Sequence, residues 1–370
     1  MKKYIITFVF SLALLCTTSC NDWLDLKSYT KIINDGQGVK TLDEAGYRLN
    51  AIYSMLRAYE CYGARMTYYG DACSEDMQAV GNTKRVANYY TFRFTADNSP
   101  SSFWTNFYEI INNVNLLLDG VDNLTGLSAA DELTRLDYKG QALTIRALAY
   151  FDLTRLYGYP YQKDNGASWG VPVLDKPVDS DYKPRRKTVA ECYTFIIDDL
   201  KAAWPIMKIS KNNGKLNQWA ALALLSRVYL YKGDDDNALQ TAKEAIAGAE
   251  SNGYQLWTNA EYKNAWATEF GSEVLWEIPM TSTENASNEA IGYLVAPKGY
   301  DDIVLSDDWT DKLMGNETND IRYQCVINNT SDNSKSGRRY MWKYPVNSGE
   351  SALYLANVKV LRLSEVYLIA

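Results

Sequence analysis

Aromatic residues stand beside hydrogen-bonding residues in two long segments that are rich in turn-forming residues. The candidate ligand-binding residues are Tyr69, Arg85, Asn88, Tyr89 and Tyr90 in the first segment and Tyr293, Tyr300 and Trp309 in the second. Aromatic rings stack on C–H faces, and guanidinium and amide groups pair with hydroxyl groups. This chemistry suits a ligand such as a sugar ring. Ordinary loop packing is the alternative for each residue.

Residue types for covalent or metal chemistry are scarce. The chain contains no histidine, which excludes Ser-His-Asp and Cys-His catalysis and every histidine-based metal site. The acidic stretches 71–76 and 306–311 lack the spacing of an EF-hand loop, so we interpret them as helix caps and solvated turns. Catalysis by carboxylates alone stays formally open. The sequence predicts a protein that is not an enzyme, with no metal and no cofactor.

The N-terminus has the layout of a secretory signal peptide. Lys2 and Lys3 precede an apolar run over residues 4–16, and three small residues follow at positions 17–19. The run is shorter than the roughly 20 apolar residues that span a bilayer. Cys20 then stands where a lipobox places its acylated cysteine, and an ordinary thiol beyond a cleavage site is the alternative. We predict a signal peptide over residues 1–19 and a palmitate-type lipid anchor on Cys20.

Composition limits the class of protein and of partner. Hydrophobic residues make up 46% of the chain and charged residues 22%, which is typical of a folded globular protein. The net charge of −7 argues against a nucleic-acid partner. No C-x-x-C pair is present, so a zinc or redox site has no support. A disulfide between Cys61 and Cys73 and a pair of free thiols are both open.

Helical periodicity alternates with long irregular stretches, which predicts a mainly α fold. The predicted helices cover residues 42–60, 102–118, 131–157, 189–204, 216–232, 235–249 and 361–370. The irregular stretches cover residues 61–100, 158–187 and 252–359. The last stretch contains two short strand candidates, at 273–280 and 338–346.

Residues 216–249 have the spacing of a tetratricopeptide unit, in which two antiparallel helices form a hairpin. The positions that match are Leu222, Leu225, Tyr229, Ala238, Ala242 and Ala245. Gly233 is placed to end the first helix in a left-handed conformation. The alanine stripe of the second helix predicts close approach of its partner. An unrelated helical hairpin is the alternative.

An ordered set of motifs extends over nearly the whole chain. In sequence order they are "CNDWLDL", "LNAIYSML", "FWTNFYEIINNVNLLL", "ALTIRALAYFDLTRLYGYPY", "GVPV", "RKTVAECYTFIIDDLKAA", "NQWAALALLSRVYLYKGDDDNALQTAKEAI" and "VKVLRLSEVYLIA". With this set the chain resembles the SusD/RagB family of surface nutrient-binding lipoproteins.

The resemblance implies a tetratricopeptide-like helical scaffold with an irregular, loop-rich subdomain that contains short strands. It implies one SusD-like domain over residues 20–370, with helical repeats over about 40–250 and from about 360, and the loop-rich subdomain over about 250–360. Family members continue beyond the motif that ends at Ala370, so we expect the domain to be incomplete at its C-terminus.

The resemblance also implies a function at the cell surface. It places the protein at the outer membrane, held by its lipid anchor, where it captures an oligosaccharide for a TonB-dependent barrel transporter of the SusC type. A peptide-binding member of the same family is one alternative. A tetratricopeptide scaffold that binds only proteins is another.

Overall fold

A computed structural model gives the structure of residues 38–81, 85–95, 101–179, 181–211, 213–313, 315, 317–328, 337–347, 349 and 351–370. The predicted signal peptide, residues 1–19, and the predicted anchor residue Cys20 lie outside these described residues. Residues Gly38–Ala370 form a single unit.

The prediction of a mainly α fold is confirmed. In chain order the α-helices are α1 (Leu42–Leu56), α2 (Arg65–Ala72), α3 (Ala87–Tyr90), α4 (Ser101–Asp122), α5 (Ala129–Tyr157), α6 (Val189–Ala203), α7 (Gln218–Lys232), α8 (Asp235–Ser251), α9 (Asn259–Ala265), α10 (Ile291–Val295), α11 (Ile321–Gln324) and α12 (Leu363–Ile369). The predicted helices correspond to α1, α4 to α8 and α12, with ends that differ by about one turn or less.

Helix α5 lies at the centre of the helical scaffold. Helices α1, α4 and α6 all pack against it, and every residue from Gly140 to Thr154 is buried. Capping boxes begin α1 and α6, where Thr41 and Thr188 each accept a hydrogen bond from the backbone of a glutamate three residues later. The sequence therefore fixes where these helices start, and burial of their apolar faces fixes how they pack.

Helices α7 and α8 form the hairpin that the sequence predicts. Gly233 ends α7 with φ 78° and ψ 26°, a left-handed conformation that suits glycine. The four stripe residues Ala238, Ala242, Ala245 and Ala249 are all buried. Gly248 lies against the indole of Trp219 on α7, where a side chain would collide with the ring. Small residues therefore allow the two helices to approach closely. The assignment of the hairpin to the tetratricopeptide class stays a prediction.

The described residues form three two-stranded antiparallel sheets, of which β1–β3 joins two of the irregular stretches. The strands are β1 (Met77–Ala79), β2 (Val274–Ile278), β3 (Ile303–Leu305), β4 (Ile327–Asn328), β5 (Arg339–Tyr340) and β6 (Val358–Arg362), and the pairs are β1–β3, β2–β6 and β4–β5. The strand predicted at 273–280 is confirmed as β2, whereas the one predicted at 338–346 forms only over Arg339–Tyr340, as β5. The expectation that residues 61–100 are irregular throughout is wrong, since α2 and α3 form there.

The cysteines are reduced in the described part of the chain. Cys61, Cys73, Cys192 and Cys325 are all free thiols, which favours the free-thiol alternative for Cys61 and Cys73. Burial raises the pKa of the Cys73 and Cys192 thiols, so both favour the protonated, unreactive form. No helix among the described residues combines the length and the apolar character needed to cross a membrane.

Candidate functional site

The β1–β3 ladder brings together the two segments that carry the candidate residues. Met77 pairs with Leu305 and Ala79 pairs with Ile303, so the middle of the first segment lies beside the second. Six of the eight candidates lie on short helices rather than loops. Tyr69 is on α2, Asn88, Tyr89 and Tyr90 are on α3, Tyr293 is on α10, and Trp309 is on a π-helical turn, Asp308–Leu313.

Arg85, Tyr293 and Tyr300 meet in one cluster. The guanidinium carbon of Arg85 lies 4.0 Å from the centroid of the Tyr300 ring. The centroids of the Tyr300 and Tyr293 rings are 5.7 Å apart. The Tyr354 ring stacks on the Tyr293 ring, with 6.2 Å between the centroids and only 7° between the ring planes. The three rings are half-buried. We call Arg85, Tyr293, Tyr300 and Tyr354 the Arg85 cluster.

Two carboxylates hold the guanidinium of Arg85 over Tyr300. Its Nε and Nη2 donate to Glu289 at 3.0 and 3.2 Å, and its Nη1 donates to Asp302 at 3.0 Å. Asp302 is fully buried, so it holds the Arg85 guanidinium from the interior of the protein. Arginine has five N–H donors. Two of them are therefore not used by these carboxylates.

The Arg85 cluster has the chemistry of a polar ring-binding surface. It combines aromatic rings with a fixed guanidinium, which already makes a cation–π contact with Tyr300 and can donate further hydrogen bonds. A small cavity of about 50 Å³ adjoins it, lined by residues that include Tyr59, Arg65, Tyr68 and Glu289. The described residues contain no group of three or more histidine, cysteine, aspartate or glutamate side chains placed to hold a metal ion.

Tyr89 lies inside the fold, and Tyr69 is half-buried beside it. Tyr89 is buried and makes edge-to-face contacts with Tyr68 at 5.7 Å and with Tyr69 at 5.5 Å. Tyr69 also packs edge-on against Phe103 of α4 at 5.6 Å. Burial raises the pKa of both phenols. These contacts pack α2 and α3 against the scaffold. For Tyr69 and Tyr89 they favour the alternative of ordinary packing over ligand binding.

Asn88 and Tyr90 are exposed on the other face of α3, with Tyr90 41% exposed. Two further aromatic residues follow, Phe92 at 64% and Phe94 at 37% exposure. Phe92 has φ 53°, a left-handed conformation that is uncommon for a bulky residue and that occurs at ligand-binding sites. Phe92 and Phe94 were not among the predicted binding residues, although the alternation in "TFRF" was a signal for them. Tyr354 carried no such signal.

Trp309 lies apart from the Arg85 cluster, in a separate cavity of about 270 Å³. The residues that line this cavity include Asp71, Tyr262, Trp266, Trp309, Trp342 and Lys343. We call it the Trp309 cavity. The structure therefore divides the predicted residues into a surface cluster, a buried aromatic group, an exposed helix face and a cavity.

The comparisons with known proteins identify the family. A model of SusD-like proteins, described as starch-binding and associating with the outer membrane, matches residues 22–230. The chain belongs to the SusD-like family. A SusD-like protein of Bacteroides ovatus is 27% identical over 226 residues, which cover 56% of this chain and 38% of the relative. This SusD-like chain spans less than half the length of the curated relatives it matches.

Crystal structures of related proteins have the same fold as this SusD-like chain. A provisionally named sugar-binding protein of Bacteroides vulgatus is 44% identical with a TM-score of 0.85, over 90% of this chain and 74% of that one. A SusD superfamily protein of Bacteroides thetaiotaomicron is 34% identical with a TM-score of 0.81, over 89% of this chain and 75% of that one.

Proposed function

We propose that this protein is a cell-surface lipoprotein that binds an oligosaccharide, without cleaving it, for import through a TonB-dependent barrel transporter. The observation that carries the proposal is the Arg85 cluster, where three tyrosine rings and a fixed guanidinium stand in one row. Membership of a family described as starch-binding supports the same ligand class.

The Arg85 cluster favours a glycan over a wholly apolar ligand. A sugar ring needs both a face to stack on and partners for its hydroxyl groups, because unpaired hydroxyls lose hydrogen bonds to water on binding. The tyrosine rings of the cluster supply aromatic contacts, and Arg85 supplies donors. Much of the contact energy offsets desolvation and lost freedom. We therefore expect dissociation constants from micromolar to millimolar, about −8 to −4 kcal/mol.

Tyr293→Ala is expected to weaken oligosaccharide binding about tenfold, or roughly 1.4 kcal/mol. The substitution removes the central ring of the row and leaves Tyr300 and Tyr354 separated. Calorimetry against a panel of oligosaccharides measures the change. Tyr182→Ala is the matched control, because it removes an exposed tyrosine outside the cluster and should leave affinity unchanged. Equal affinities for the two variants would remove the Arg85 cluster from the proposal.

The same calorimetry decides among the alternatives. Binding of peptides but of no glycan would identify a peptide-binding member of the family. Binding of a folded protein alone would favour a tetratricopeptide interaction scaffold. Chromatography of the recovered ligand tests for catalysis: a cleaved glycan, with cleavage lost after a single carboxylate substitution, would show an enzyme.

Cys20→Ala is expected to release the protein from the membrane fraction. The short apolar leader and the small residues before Cys20 support acylation there. Fractionation of cells that express either form measures the effect, and a Cys325→Ala variant controls for loss of a thiol. Continued sedimentation of the Cys20→Ala protein with membranes would contradict the lipid anchor.

Import is the remaining part of the proposal. A capture protein at the cell surface needs a channel to pass its ligand on, and family membership supports a barrel transporter as that partner. Mass spectrometry of proteins that co-purify with the tagged lipoprotein from solubilised outer membranes tests the partnership. Recovery of the lipoprotein without any barrel protein would count against it.

A further inference from the structure

We propose that the Trp309 cavity is a second binding site, which takes a single neutral sugar ring. The choice of ligand class rests on the proposed function, but the residues of this site lie outside the Arg85 cluster. With about 270 Å³, the cavity lies just below the range of about 300–1,000 Å³ that is usual for small-molecule sites. It therefore has room for one ring rather than for a chain of them.

Aromatic side chains form the walls of the cavity. Tyr262 and Trp266 meet edge to face at 6.0 Å, and Trp266 is almost completely buried. The indole N–H of Trp342 donates to the backbone oxygen of Lys263 at 2.8 Å, and the Lys263 ammonium lies 4.9 Å from the Trp342 ring. These contacts fix the walls before a ligand arrives, which lowers the entropy cost of binding.

Both arginines at the cavity already have partners. Arg322 donates to both carboxylate oxygens of Asp320, at 2.6 to 3.2 Å. Arg362 donates to Glu273 at 2.8 Å and lies 5.0 Å from the Trp266 ring. Each of these two cations is thus paired with a carboxylate, so neither adds net positive charge to the cavity.

Three other charged groups line the cavity, Asp71, Asp76 and Lys343. Within the part of the chain that the structure describes, the carboxylates of Asp71 and Asp76 and the ammonium group of Lys343 have no hydrogen-bond or ion-pair partner. Burial raises the pKa of Asp71, although Lys343 opposes the shift. Hydrogen-bond acceptors and a donor thus stand without partners next to aromatic faces.

These unpaired groups select the ligand class. Two carboxylates and one ammonium group sum to a charge of −1, which disfavours phosphate and acidic sugars. An apolar ligand would leave the charged groups without partners and bury them at a cost. A neutral sugar ring meets both conditions, because its hydroxyl groups can donate to Asp71 and accept from Lys343 while its C–H face contacts Trp309.

The test uses the full chain and a panel of glucose, galactose, mannose, xylose and N-acetylglucosamine. Tryptophan fluorescence and calorimetry measure binding to the wild type, Asp71→Ala, Trp309→Ala and the control Tyr182→Ala. We expect at least one monosaccharide to bind. Asp71→Ala and Trp309→Ala should each weaken that binding tenfold or more, and Tyr182→Ala, which removes an exposed tyrosine outside both sites, should leave it unchanged. If Trp309→Ala fails to fold, Lys343→Ala replaces it, because the Lys343 side chain is exposed.

The oligosaccharide measurements separate this inference from the proposed function. The second site is overturned if no monosaccharide binds, or if the Asp71→Ala and Trp309→Ala variants bind monosaccharide as tightly as the wild type. This conclusion would hold even if Tyr293→Ala still weakened oligosaccharide binding. Conversely, monosaccharide binding that depends on Asp71 and Trp309 supports the second site even if the Arg85 cluster binds nothing.

Discussion

Replacing Asp199 with alanine is expected to lower the free energy of unfolding by about 3–5 kcal/mol. Asp199 accepts two hydrogen bonds from Arg146, from Nε and from Nη2, both at 2.7 Å. Nη1 of Arg146 donates to Asn115 at 2.7 Å. The side chains of the ion pair are only 8% and 9% exposed. Loss of Asp199 leaves a buried guanidinium without its counter-charge, which costs far more than an exposed ion pair contributes.

Asp198→Ala is the matched control for Asp199→Ala. Asp198 is the preceding residue on α6, carries the same charge and is exposed. Both variants remove one carboxylate from the same helix, so effects on net charge and helix propensity largely cancel. Chemical denaturation measured by far-UV circular dichroism gives both free energies. A loss below about 1 kcal/mol for Asp199→Ala would mean that water reaches Arg146, contrary to its burial.

This ion pair explains why the family motifs describe the scaffold better than the site. Asn115, Arg146 and Asp199 come from three different motifs, on α4, α5 and α6. The sequence places each of them on a helix, but helical periodicity does not say which polar residues meet across helices. Their mutual hydrogen bonds show that these motif positions specify packing. The motifs therefore predicted the fold and left the ligand-binding residues open.

The long helices were predictable, and of the short ones only α12 was predicted. Helices α4 to α8 each show an apolar face over several turns or a clear start and stop signal, which periodicity detects. Helix α3 has only four residues, so it shows no period and exists because Tyr89 packs into the core. Candidate residues on such short elements were assigned to loops for this reason.

The division of the candidate residues between two sites also depends on tertiary structure. Tyr293 and Trp309 are close in sequence, yet β3 lies between them and pairs with β1. Tyr293 consequently joins Arg85, whereas Trp309 faces a cavity with Asp71 and Trp342. Tyr354 joins the Arg85 cluster from a distant 3-10 turn, Leu353–Leu355. Residue type identified candidates, but only the strand pairing decided which of them act together.

Trp276→Ala is expected to destabilise the protein by about 3–5 kcal/mol, the usual cost of removing a large buried aromatic side chain. Trp276 lies on β2 and is only 2% exposed. Its ring contacts Tyr53 and Tyr62 edge-on, each at 6.4 Å between centroids. The Tyr53 hydroxyl donates to Gln141 on α5, so this aromatic group joins the β2–β6 sheet to the centre of the scaffold.

Two further variants make the Trp276 prediction specific. Trp276→Phe keeps a ring in the core, and the lost indole N–H has no hydrogen-bond partner among the described residues, so this variant should lose clearly less stability. Trp169→Ala removes a tryptophan that is 66% exposed and should change stability by about 0.5 kcal/mol or less. Thermal and chemical denaturation of the three variants show how much stability each one loses. If Trp276→Ala were as mild as Trp169→Ala, the sheet would not be packed on the scaffold through this residue.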